Sequence, residues 1–181
     1  MTNADAAERR SSPWRIAGWS VAVLILLLPL VAMRFTSEVN WTTGDFIFAA
    51  LLIGGVGVIF ELTVRVTRNW AQRAGVAAAL ATAFLTIWAN GAVGMIGNED
   101  NPYNLLFLGV ILLALAGAVV ARFRPGGMAL AMTVAAVAQA ILAIVGTSSD
   151  LRGGIISTLF AALWLLAAAL FWQAADPADD R

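Results

Sequence analysis

Six stretches of this chain are each long enough and apolar enough to cross a bilayer, and they leave room for little else. A helix rising 1.5 Å per residue needs about 20 mainly apolar residues to span the hydrocarbon. Residues 16–34, 44–64, 74–97, 103–121, 127–146 and 153–173 meet that need within a chain of 181. The expected fold is therefore all-α, a polytopic transmembrane bundle of six spans. Hydrophobic residues make up 61% and charged residues 12% of the sequence, against about 45–50% and about 25% in soluble domains. A water-soluble globule is excluded. Residues 1–15 read as a disordered cytoplasmic N-terminus and 174–181 as an acidic cytoplasmic tail carrying Asp176, Asp179 and Asp180.

A charged start followed by an apolar run can also be a secretory signal. Here the run is long, and Ala32-Met33-Arg34 makes a poor small-x-small cleavage site. It reads as an uncleaved first span. The arginines supply an independent check on the count. Arg9, Arg10 and Arg15 precede the first span; Arg65, Arg68 and Arg73 lie between the second and third; Arg122 and Arg124 lie between the fourth and fifth; Arg181 follows the sixth. Only Arg34 and Arg152 fall on the other side, nine against two. Basic residues collect on the cytoplasmic side of inner membranes, so the expected orientation is N-in, C-in.

Lipid is as apolar as leucine, so membrane helices associate through small residues and buried polar contacts. The second span carries such a stripe, Ala50, Gly54, Gly57, Glu61, Arg65 and Arg68, and the third another, Gly75, Ala79, Ala83, Thr86, Asn90, Gly94 and Gly97. The fifth offers Ala131, Ala135 and Gln139. The pattern predicts close packing of spans two, three and five, with the Leu-rich first, fourth and sixth spans towards lipid. Trp88 and Trp164 read as packing fillers.

The chain has no histidine and no cysteine. That removes disulfides, thiol catalysis, imidazole bases, thiolate zinc sites and histidine-ligated haem. There is no glycine-rich phosphate loop with a following Lys-Ser or Lys-Thr, and no residue set calls for a cofactor or a metal. Eleven basic residues, all arginine, balance eleven acids, so nucleic acid is not an expected partner.

Polar groups within a bilayer are costly, and each is a candidate for function. Glu61 has Arg65 one turn on, at the i,i+4 spacing of an ion pair. It is either an interfacial pair near Arg68, Arg122 and Arg124, or a carboxylate for a proton or cation; the arginine cluster could alternatively hold an anionic lipid headgroup. Asn90 and Gln139 fall at similar depth, where a cross-helix amide bond would satisfy both; the alternative is a polar constriction in a solute path. Asn98-Glu99-Asp100-Asn101-Pro102 ends the third span as a turn, a partner contact or an oxygen-ligand cation site. Asp45, after Thr42-Thr43-Gly44, either caps the second span or faces that corner.

The run from Trp88 through Asn90-Gly91, Gly94, Gly97-Asn98-Glu99-Asp100-Asn101-Pro102 and on to Ala121-Arg122-Phe123-Arg124-Pro125 resembles small uncharacterised multi-pass inner-membrane proteins of proteobacteria, most specifically over about residues 41–130. The resemblance implies an inner-membrane location and carries over no activity, cofactor or residue role. The leading functional expectation is a non-enzymatic accessory component that contacts membrane lipids and a partner protein or a second copy of itself. A small solute or ion transporter using Glu61, Asn90 and Gln139 is the rival, and a lipid-active enzyme the third. Reporter fusions near residues 70 and 124 should both report the cytoplasm; periplasmic activity at either would undo the span count.

Overall fold

The structure, a computed structural model, describes residues 13–175; the expected N-terminal segment up to residue 12 and the tail from 176 lie outside the described residues. The fold is all-helical, and among the described residues six helices are long and apolar enough to cross a membrane. They are α1 (Pro13–Ala32), α2 (Thr43–Val66), α3 (Trp70–Ala92), α4 (Leu105–Val120), α5 (Pro125–Gly146) and α6 (Leu151–Ala174), with a short 3-10 turn at Pro102–Asn104 leading into α4. The chain divides into two compact units, residues 1–59 and 60–181.

In the first unit, α1 runs through Pro29, and the Met33 N–H still reaches the Pro29 carbonyl at 2.9 Å. The start of α2 is closed by a reciprocal cap. The Thr42 hydroxyl accepts from the Asp45 N–H at 3.3 Å, and the Asp45 carboxylate accepts from the Thr42 N–H at 2.7 Å. This is a capping box, which satisfies donors that the helix itself leaves open. The Trp19 ring lies over Gly57, where a methyl group would come to 3.1 Å of the indole.

The second unit holds the well-packed core. α5 and α6 form an antiparallel pair with the most extensive contact in the chain, α3 packs on α6, and α4 packs on α5. Their meeting faces are small: Ala114 and Ala118 of α4, Ala131 and Ala135 of α5, Ala161 and Ala167 of α6, with Trp164 and Phe171 filling the larger gaps. Because lipid offers no hydrophobic drive between helices, dispersion over closely approaching backbones must do the holding. Glycines mark the tightest points. A methyl on Gly117 would sit 2.6 Å from the Ala131 Cβ, and one on Gly127 the same distance from Ala121. Buried Thr82 and Thr86 of α3 donate to their own Ala78 and Thr82 carbonyls at 2.7 and 2.8 Å. Each hydroxyl is thus satisfied within its helix and asks nothing of α6.

Three expectations need correction. The sequence places span six at the lipid surface, but it is the helix on which both α3 and α5 pack. Its leucines, such as Leu159, Leu165 and Leu166, are indeed exposed, while Gly154, Ser157, Ala161, Trp164, Ala168 and Phe171 are buried along the opposite face. Those buried residues recur at steps of three and four, a helical stripe masked by the leucines around it. The small-residue face of span three is real, but it meets span six, with Gly75 against Phe171. Finally, α3 ends at Ala92 and not at 97, because Gly94 and Gly97 take left-handed φ values of 78° and 74° that a helix cannot continue through.

Gly154→Ala should destabilise the protein by about 1–3 kcal/mol through overpacking, since its methyl would press on the Ala143 carbonyl at 2.8 Å and on Thr147. Gly109→Ala, with nothing within 4 Å, should be neutral or stabilising by up to about 1 kcal/mol. Thermal unfolding of both variants in one detergent checks the contrast.

Candidate functional site

At the arginine-poor end of the second unit, residues 93–104 leave the helix and form a corner with few regular backbone bonds. A buried asparagine closes it. The Asn104 Oδ1 accepts from the Met95 and Ile96 N–H groups at 3.1 and 2.9 Å, and its Nδ2 donates to the Asn98 carbonyl at 2.7 Å. An unsatisfied buried N–H costs about 1–3 kcal/mol, so one side chain that serves two of them largely decides whether the corner exists. Asn101 adds a second tie, its Nδ2 donating to the Ile96 carbonyl at 3.0 Å and its Oδ1 accepting from the Tyr103 N–H at 3.0 Å. The Tyr103 hydroxyl donates to the Leu142 carbonyl at 2.8 Å. Gly94 is required here: a methyl would overlap the Asn98 carbonyl and approach Asn104 Nδ2 to 2.7 Å.

The corner is latched to α6 by Asp150. Its carboxylate accepts from the Gly97 N–H at 2.9 Å and from the Gly153 N–H at 3.0 Å, so it caps α6 and grips the corner together. Those bonds, first from Gly153 and then from Gly97, with Arg152 alongside, hold the Asp150 carboxyl below the usual aspartate range. Ser157, buried on α6, donates to the Met95 carbonyl at 3.4 Å. Asp45 caps α2. Asn98, Glu99 and Asp100 stand exposed at the tip. The Asn101 oxygen is committed to the Tyr103 N–H, and among the described residues no three acids gather.

Asn90 and Gln139 do not meet. The Asn90 amide donates to its own helix, at the Thr86 carbonyl 2.8 Å away. Gln139 lies on α5, wholly buried, and its Nε2 approaches the Ser157 carbonyl of α6 at 3.4 Å. The two oxygens, Asn90 Oδ1 and Gln139 Oε1, are buried without a partner among the described residues. The expected amide pair fails because α3 and α5 each pack mainly on α6. Trp164 fills the core as expected, and Trp88 stacks on Phe84 with ring centres 5.9 Å apart.

The arginine-rich end sorts its guanidinium groups into two kinds. Arg65 is ion-paired with half-buried Glu61. Arg73 is spent on the end of α2, donating to the Thr67 and Val64 carbonyls at 2.8 and 2.7 Å. The side chains of Arg68, Arg122 and Arg124 are exposed and donate no hydrogen bond to another described residue. The turn that carries the last two is unusual. α4 ends in a Schellman arrangement, with the Phe123 N–H on the Ala118 carbonyl at 3.0 Å and the Arg122 N–H on the Val119 carbonyl at 2.9 Å. The residue after the cap is normally glycine, yet here Arg122 and Phe123 hold φ values of 50° and 58°. Left-handed backbone costs a residue with a Cβ roughly 1–2 kcal/mol. Phe123, the residue whose side chain can pack back on such a cap, is 59% exposed.

The chain matches no known family model, no curated protein and no solved structure. The sequence pointed to the corner's acidic tip but missed Asn104 and the double role of Asp150. Asn104 was legible only as one more asparagine in an Asn-rich turn, and the Asp150–Gly97 contact joins residues far apart in sequence. The latch has a pH signature. A carboxyl lowered in the folded state contributes stability that is complete above its unfolded value near about pH 4 and is lost as pH falls through the folded value. The stability gap between the native protein and Asp150→Ala should therefore be constant around neutrality and close below that range, as read by unfolding in lipid discs over an acid series.

Proposed function

We propose that this chain is a non-enzymatic accessory protein of the bacterial inner membrane, with both termini cytoplasmic, that binds a transmembrane helix of another protein through its first two helices. One feature carries this reading: Ala50 and Gly54 give α2 a small-residue face. Small residues turned to lipid gain little there, whereas against another helix they permit close backbone approach. The nine-to-two arginine partition supports the orientation.

The transporter reading keeps one observation in its favour, the two unpartnered amide oxygens of Asn90 and Gln139. Gln139 sits among the close-packed alanines of α5 and α6, an environment better suited to holding helices than to passing solute. Flux into proteoliposomes that falls in Glu61→Gln or Asn90→Ala would favour transport.

A photo-crosslinking residue at position 50 should capture a distinct membrane protein in cells, one not captured from position 112, on the exposed side of α4. Gly54→Leu should weaken that capture. Equal patterns from both positions, or a monomer that purifies in mild detergent with no partner, would overturn the proposal.

A further inference from the structure

The arginine-rich end of the second unit carries a more local signal. Of the arginines between residues 60 and 124, two are used up inside the protein, Arg65 on Glu61 and Arg73 on the end of α2. Arg122 and Arg124 have no side-chain partner among the described residues, and they flank an exposed aromatic, Phe123. Trp172, 74% exposed, belongs to the same end: one turn after it, Ala175 lies against the start of α5, 3.8 Å from a methyl placed on Gly126. Two guanidinium groups without a partner among the described residues and two exposed rings thus share the end of the unit that a headgroup layer would meet. Aromatic rings favour that layer because one side is apolar and the other wet. Guanidinium groups match phosphate oxygens with paired, charge-assisted N–H bonds.

The backbone gives an independent reason to read the turn as a site. A glycine at position 122 would relieve the left-handed residue after the cap, and the chain does supply glycines nearby, at 126 and 127. Gly127 is used for contact with Ala121, whereas the position that most needs a glycine holds an arginine. A long charged side chain on a strained, exposed backbone position points to a use for that side chain.

We propose that the Arg122–Phe123–Arg124 turn binds the phosphate of an anionic phospholipid, with the two guanidinium groups on the headgroup and with Phe123 and Trp172 at the level of the glycerol and upper acyl chains. Charge complementarity selects anionic over zwitterionic lipid. Each arginine near the surface contributes roughly 1 kcal/mol, or about fivefold in affinity. This site stands apart from the partner-binding reading of α1 and α2 and survives or fails without it.

Native mass spectrometry of the full chain in mild detergent, titrated separately with phosphatidylglycerol and phosphatidylcholine, tests the proposal. The protein should retain phosphatidylglycerol preferentially. Arg122→Gly should reduce that preference about fivefold, and Arg122→Gly with Arg124→Gln should reduce it further. Because glycine suits the backbone at 122, the single variant should unfold at or above the native temperature, so loss of lipid is read on a folded protein. Arg152→Gln, at the other end, should retain lipid as the native chain does. Added inorganic phosphate should not displace the lipid. The proposal is overturned if the double variant keeps the native preference, if Arg152→Gln loses as much, or if free phosphate displaces the lipid and so marks a soluble anion as the ligand.

Discussion

A bilayer offers no water to an unpaired backbone group, and that constraint shapes this molecule more than any single contact. Helices answer it along the spans. The difficulty falls where the chain leaves a helix close to the hydrocarbon, above all between residues 93 and 104. There the answer is given by side chains: Asn104 on two N–H groups, Asn101 on a carbonyl and an N–H, and Asp150 reaching over from the start of α6. The corner's rigidity is thus a by-product of polar accounting, and the glycines at 94 and 97 let the backbone bend sharply enough for those side chains to reach.

The helices of the second unit are held by shape. Alanine and glycine faces bring α4, α5 and α6 close, and the few large buried rings fill what remains. Thr82 and Thr86 satisfy their hydroxyls by bonding back to their own helix. Asn90 Oδ1, Trp164 Nε1 and Gln139 Oε1 are buried without a partner among the described residues. The Gln139 amide nitrogen faces the carbonyl of Ser157, whose own hydroxyl touches the corner. A thin polar thread therefore runs from the middle of the bundle to the Asp150 latch.

Much of the fold is legible in the sequence. Six spans follow from apolar length alone, and the small-residue face of the third was visible in its spacing. Which helix met that face was not. Span six looked like a lipid-facing helix because leucines outnumber the small residues in its sequence, although Gly154, Ser157, Ala161, Trp164, Ala168 and Phe171 recur with helical period. Periodicity would have found the face; composition hid it. Asp45 and the Glu61–Arg65 pair were readable because they act within one helical turn. Asn104 and the Gly97–Asp150 contact were not, because their partners are set by how helices stack, and no local pattern records that. The left-handed arginine at 122 was equally invisible, since nothing in Arg-Phe-Arg-Pro announces the conformation glycine usually takes.

The central place of α6 also bears on how the chain is made. Translation delivers α3, α4 and α5 before the helix on which α3 and α5 both rest, and nascent chains assemble in the order they emerge. Until α6 arrives, α3 has no seat for Gly75 and its buried threonines, and the corner has neither Asp150 nor Ser157 to fasten it. A ribosome that stalls before residue 150 therefore leaves membrane-inserted helices with their adhesive faces uncovered, the state that quality-control proteases and insertion chaperones are built to detect.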